Sequence, residues 1–239
     1  MGERLTIKRH FADLLSAANL ACGVASCAVA LKGRPDLSLL LLMGGGFFDG
    51  LDGLAARRWG GTRVGVLADD IADGVSNGVA PAVALWAALG GVEGVALALL
   101  FAGFTAARLV FFTLDKGSGP DDVFRGLPST AGAVIALAAL VLFPGSPALV
   151  GLLVGAACLQ MVAFDARYRH IGRAVASSRR YQRWTLGFLG LVGLAALGIS
   201  AQAAATMLLV VVLAYSFGPA LRSLRAAARS SAVQVSSPR

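Results

Sequence analysis

Residues 47 to 77 read FFDGLDGLAARRWGGTRVGVLADDIADGVSN, and they set Asp49, Asp52, Asp69 and Asp73 at the junction of two long apolar runs. With Asp70, five of the 13 acidic residues of the 239-residue chain fall between positions 49 and 73. Asp49 and Asp52 are three apart and Asp69 and Asp73 four apart, so on helices each pair shares one face. Two neighbouring helices can then turn four carboxylates towards one point. Gly53 and Ala56 continue the stripe of Asp49 and Asp52, and Gly65 stands four before Asp69, so both faces lack side-chain bulk beside the acids. A flat nucleotide could pack in that gap, with the Arg57 guanidinium placed beside a phosphate.

Outward from this stretch the chain is apolar. Hydrophobic residues make up 57%, charged residues 14%, and the mean hydropathy is +0.75, values outside the range of a soluble domain. Runs long enough to cross a hydrocarbon core of about 30 Å as helices recur near 15–32, 37–57, 66–89, 92–113, 128–144, 147–166, 184–200 and 203–219. The expected fold is therefore an all-α integral membrane protein with eight transmembrane helices.

Basic residues fix the expected orientation, because Lys and Arg in short loops gather on the cytoplasmic side. With the N-terminus inside, only Lys32 and Arg34 of the 21 Lys and Arg fall in outer loops, which predicts N-in and C-in. The net charge of +8 then matches an anionic inner leaflet and calls for no nucleic-acid partner. Residues 1–14 read as an interfacial helix rather than a cleaved signal, since Asp13 interrupts the apolar run while Ile7, Phe11, Leu14, Leu15 and Ala18 form one stripe. Residues 15–219 form the transmembrane domain. Residues 220–239, with Arg222, Arg225 and Arg229, read as a basic cytoplasmic tail. Cys22, Cys27 and Cys158 show no ligand spacing, and His10 and His170 are isolated, so chemistry has to come from oxygen.

Intramembrane carboxylates are expensive, about 2.5 to 3.5 kcal/mol each on insertion scales, so a cluster implies cations or function. A structural salt-bridge cluster is the plain alternative, yet Arg57, Arg58 and Arg63 are fewer than the acids and lie towards one end of the hairpin. Two divalent cations would balance four carboxylates, and all-oxygen ligation suits Mg²⁺ or Mn²⁺.

Taken together, Asp49, Asp52, Gly53, Ala56, Arg57, Gly65, Asp69 and Asp73 spell D-x2-D-G-x2-A-R-x7-G-x3-D-x3-D. This pattern resembles the signature of the CDP-alcohol phosphatidyltransferase family, and eight fixed positions over 25 residues make the match specific. The resemblance implies a homodimeric helical protein of a bacterial or archaeal cytoplasmic membrane, with a cytoplasm-facing cavity and two metal ions. It implies Asp49, Asp52, Asp69 and Asp73 as metal ligands, and Gly53, Ala56, Arg57 and Gly65, together with Asp52, as the seat of the CDP group. Asp73 is the implied base, taking the proton of the acceptor hydroxyl as CMP leaves.

The segments SAANLACGV (16–24), DGVSNGVAPA (73–82), AARLVFF (106–112), FRGLPSTAGA (124–133) and MVAFDARY (161–168) are similar to the phosphatidylserine synthase branch of that family. Asn77 departs from it, since Phe is usual there. The branch implies CDP-diacylglycerol as donor and serine as acceptor. A serine carboxylate needs a cation near the metals, for which Arg108, Arg125 and Arg167 are candidates, with Asn77 facing the cavity. Transfer to glycerol phosphate or inositol phosphate would need several cations around a phosphate instead. A metal-ion transporter or membrane scaffold is the alternative of another class, and a nucleotide-shaped gap beside the acids argues against it.

Overall fold

The computed structural model describes residues 2–114, 123–169 and 178–219. The helices are α1 (Gly2–Leu31), α2 (Pro35–Trp59), α3 (Arg63–Asp73), α4 (Ala80–Leu89), α5 (Gly91–Leu114), α6 (Ser129–Leu142), α7 (Pro147–Val162), α8 (Arg179–Gly198) and α9 (Ala201–Ser216). A π-helical turn, Gly74–Val79, joins α3 to α4 with right-handed helical dihedrals at both junctions, so 63–89 is one continuous rod. Among the described residues this gives eight helical rods, one for each apolar run in the sequence.

Local chemistry sets the boundaries. Gly33 takes φ 70°, which a residue with a Cβ rarely adopts, and Pro35 opens α2 where no amide donor is needed. The Thr62 side chain caps α3 by accepting from the Gly65 amide. Gly126, at φ 75°, lies against the Met161 carbonyl, where any side chain would collide.

The helix at the centre is α6, which is buried almost from end to end and packs against α2, α4, α7 and α9. Its sequence explains this, because STAGAVIALAALVL is apolar and small all round, leaving no polar face to turn outward. Towards the turn of the α1–α2 hairpin, Ser38 Oγ donates to the Ser26 carbonyl at 2.8 Å and Ser26 Oγ to Ser38 Oγ at 3.0 Å, a buried polar clasp between apolar helices. Three helical segments, His10–Leu31, Pro35–Trp59 and Gly91–Leu114, are long and apolar enough to cross a bilayer, and α6, α7 and α9 are shorter apolar helices. The protein is membrane-integral.

Three features differ from the sequence expectation. Residues 2–14 run on without a break into the rest of α1, and no Gly or Pro from Glu3 to Cys22 gives the chain a place to break. The sixth run ends at Val162 rather than 166. The residues beyond it enter a two-stranded antiparallel ribbon, β1 (Val123–Arg125) with β2 (Arg167–Arg169), in which Arg125 faces Arg167. The fold is thus helical with one short ribbon, tied to α9 where the buried Tyr168 hydroxyl donates to the Ser216 carbonyl at 3.2 Å. His170 and the tail 220–239 lie outside the described residues.

Candidate active site

The site is a ladder on one face of α1, whose rungs reach α2 on one side and the rod 63–89 with its cap Thr62 on the other. Asp13 meets Thr62 and Gly65, Ser16 meets Asp52, Asn19 meets Asp73, and Gly23 meets Ser76. These α1 positions recur every three or four residues, so one helical face supplies every rung. The deepest rung sets the spacing. A Cβ on Gly23 would lie 2.9 Å from the Ser76 Cα, so only glycine lets α1 approach the π-helical turn this closely.

At the next rung Asp49, Asp69 and Asp73 converge. One carboxylate oxygen from each lies within 4.8 Å of the other two. Asp73 Oδ1 accepts from Asn77 Nδ2 at 3.0 Å and from Asn19 Nδ2 at 3.5 Å. Asn19 is 1% exposed and its Oδ1 has no hydrogen-bond partner among the described residues; that oxygen faces Gly45, where a Cβ would come within 2.7 Å of it. Asp52 sits one rung nearer the end of the hairpin, buried, with its Oδ2 accepting from Ser16 Oγ at 2.7 Å. Asp49, Asp69 and Asp73 thus form the tight group, with Asp52 alongside, held by a serine. Among the described residues Asp70 is not part of the convergence.

Between Asp52, Asp69 and the hairpin turn lies a cleft lined by Ala12, Asp13, Ser16, Gly53, Ala56, Gly61, Thr62, Gly65 and Val66. Gly53 and Ala56 form its bare wall, as their stripe predicts. Arg57 folds back over that wall, with a guanidinium nitrogen 3.5 Å from where a Gly53 Cβ would stand. The Gly65 side is not open, because Asp13 occupies it; a Cβ on Gly65 would collide with Asp13 Oδ1. Thr62 Oγ1 donates to Asp13 at 3.0 Å, and His10 Nδ1 lies 3.1 Å from Asp13 Oδ2.

The three arginines considered for an acceptor have different surroundings. Arg108 is buried, with Nε donating to the Leu127 carbonyl and the guanidinium 5.9 Å from the Phe112 ring centre. Arg125 is exposed; its Nε donates to the Phe164 carbonyl at 3.3 Å, and its guanidinium lies 5.3 Å from Phe111, a ring stacked on Phe164 at 3.6 Å. Arg167 is exposed opposite Arg125 on the ribbon. Asn77 points at Asp73 rather than into open cavity space.

Asp13, Ser16 and Asn19 are the residues that sequence reasoning missed. Ser16 and Asn19 carried a usable signal, two polar side chains three apart in an apolar helix, which in a membrane must face a partner. Asp13 registered only as an interruption.

The donor set suits a divalent cation. Oxygen ligands bind Mg²⁺ at about 2.1 Å and larger hard ions at about 2.3 to 2.6 Å, so oxygens within 4.8 Å of each other can share one ion. The hydrogen bonds on Asp52 and Asp73 come from neutral serine and asparagine, which orient these carboxylates without cancelling their charge.

The protein is thus a helical membrane protein with a bare-walled cleft beside a group of carboxylates able to hold a metal ion. The family model described as CDP-alcohol phosphatidyltransferase matches residues 9–164, well over half of the chain, including the aspartates of the site and the cleft residues but not Arg167. The protein belongs to the CDP-alcohol phosphatidyltransferase family. Its members are divalent-metal-dependent transferases that use a CDP-alcohol donor and an alcohol acceptor within membranes. No curated protein matches the chain significantly.

Proposed function

We propose that the protein transfers the phosphatidyl group of CDP-diacylglycerol to the hydroxyl of serine, releasing CMP, at the cytoplasmic face of a membrane in which both termini are inside. The observation that carries the reading is the three-carboxylate convergence at the foot of the cleft. Asp49, Asp69 and Asp73, with Asp52 beside them, would hold Mg²⁺ or Mn²⁺. Bound there, the ions supply charge neutralisation for the phosphoryl oxygens and the departing CMP.

The chain's own residues do the rest. Gly53 and Ala56 give the nucleotide a flat wall, and Arg57, already folded over Gly53, binds a phosphate. The two amide donors on Asp73 Oδ1 leave Oδ2 to receive the proton of the serine hydroxyl. As that hydroxyl oxygen bonds to the lipid-side phosphorus, the bond from phosphorus to the CMP oxygen breaks and CMP leaves with the electron pair. Ser16 keeps Asp52 turned towards the cleft.

Similarity to the phosphatidylserine synthase segments supports serine. Arg108 is the candidate for its carboxylate, being buried on the helix face that packs Thr105 against Gly78, one residue beyond Asn77. The register that sets Arg125 opposite Arg167 bears on a second reading, an acceptor carrying a phosphate, because a phosphate can accept from two guanidinium groups at once. A homodimer is part of the proposal, on family resemblance.

The test is product identification after incubating purified protein with CDP-diacylglycerol, Mn²⁺ or Mg²⁺ and a panel of serine, glycerol phosphate and inositol phosphate. Phosphatidylserine as the main product supports the reading. A phosphorylated product replaces serine with the second reading.

A further inference from the structure

The strongest charge imbalance in the chain lies away from the cleft. From residue 166 to the end the sequence holds ten arginines and no Asp or Glu, so no side-chain carboxylate within that stretch can answer them. Three of the ten open α8. Arg179, Arg180 and Arg183 are exposed, and among the described residues none of them has an ion-pair partner. Their position adds to the imbalance, because a helix start is the positive end of its dipole and α8 has no acid in its first turn. An anion from outside the chain would offset both charges.

The same face continues into the apolar part of the helix. At about 100° per residue the three arginines and Trp184 lie within about 140° of arc, and Gly187, Gly190, Leu191 and Leu194 fall in the same sector. Trp184 and Leu194 are each 70% exposed. A Cβ on Gly187 or Gly190 would meet nothing within 4 Å, so the surface between the arginines and the leucines is a bare slot. The buried side chains of α8, Val192 and Ala195, lie outside this sector, on the side where the helix packs on α9. Cations at one end, an indole beside them and a bare apolar slot beyond match the parts of one phospholipid in order: phosphate, headgroup boundary and acyl chain.

We infer that this face of α8 holds an anionic phospholipid, its phosphate against Arg179, Arg180 and Arg183 and a chain along Gly187 and Gly190. A second copy of the chain is the competing occupant of a bare apolar helix face. Two parallel copies about a twofold axis would set one arginine cluster against the other, and like charges oppose that contact. A purely topological role for the arginines is the plain account, and it predicts no lipid preference beside Trp184.

The experiment reads Trp184 fluorescence in the full-length protein reconstituted into phosphatidylcholine bilayers. Trp59→Phe and Trp86→Phe leave Trp184 as the one indole of the three in the chain. Phosphatidylglycerol carrying bromine on its chains is compared as a quencher with phosphatidylcholine brominated in the same way. In this background the anionic lipid is expected to occupy the site about tenfold or more in preference to the zwitterionic one, since each cation near an anionic lipid surface contributes about fivefold. Adding Arg179→Gln, Arg180→Gln and Arg183→Gln should bring the ratio close to one. The same three positions changed to Lys keep the charge and should keep most of the preference. A ratio near one before the arginines are changed, a ratio that the glutamine substitutions leave unchanged, or equal loss in the lysine variant overturns the inference. Quenching by neither lipid means that protein covers the face, and overturns it in favour of the second copy.

Discussion

Replacing Gly45 by alanine tests how tightly the fold holds the reaction centre. The new methyl would lie 2.7 Å from Asn19 Oδ1, whereas ordinary contact begins at 3.4 Å, so the amide must retreat by about 0.7 Å. Asn19 is 1% exposed, so any retreat is into neighbouring packed groups rather than into solvent. Overpacking of this kind typically destabilises by about 1 to 3 kcal/mol. The bond from Asn19 to Asp73, already 3.5 Å long, does not survive the shift, which removes about 1 kcal/mol more and frees the Asp73 carboxylate to rotate. The assay is thermal unfolding in detergent alongside CMP release from CDP-diacylglycerol. Gly44→Ala is the internal control, since its Cβ would sit 3.7 Å from Cys22 Sγ, an ordinary contact. Gly45→Ala should lose stability and at least tenfold in turnover while Gly44→Ala stays near wild type. Equal behaviour of the two variants would refute the reasoning that Asn19 is wedged against Asp73 by α2.

Asp73→Asn is expected to keep CDP-lipid binding and lose turnover by about 10²-fold or more, because the amide cannot take a proton; steady-state kcat and donor affinity measured together decide it. Asp52→Asn should weaken metal-dependent nucleotide binding as well as turnover, and Ser16→Ala should produce a milder form of the same defect, both read by calorimetry with Mn²⁺. Gly126→Ala should destabilise without touching the chemistry, since a Cβ there meets the Met161 carbonyl at a positive φ; a lower unfolding temperature with unchanged specific activity of the folded fraction is the expected result. Arg57→Met should raise the KM for the CDP-lipid, keeping the stem while removing the phosphate contact.

Much of this site was legible because helical spacing is arithmetic. Asp49, Asp69 and Asp73 had to share a face with their neighbours, and the bareness of Gly53 and Ala56 follows from the same count. What sequence could not supply was the third helix. Asp52 meets Ser16 across 36 positions and Asp73 meets Asn19 across 54, and a crossing geometry that depends on Gly23 meeting Ser76 is invisible to periodicity. Gly65 illustrates the limit. Its smallness was read as leaving room beside the acids, and the group that takes up that room is Asp13, from the segment read as an interfacial helix. The ribbon was hidden for a related reason, since strands of three residues carry no period to detect. Arg125 and Arg167 looked like independent helix-end arginines until the pairing set them face to face.

The most direct test of the central claim is the release of CMP from CDP-diacylglycerol in the presence of serine, with Mn²⁺ or Mg²⁺ and after exhaustive chelation. The converging carboxylates predict CMP release when the cation is present, none after chelation and recovery when it is restored, and the proposed serine acceptor predicts phosphatidylserine in equal amount to the CMP. Full turnover in the chelated protein would contradict the account.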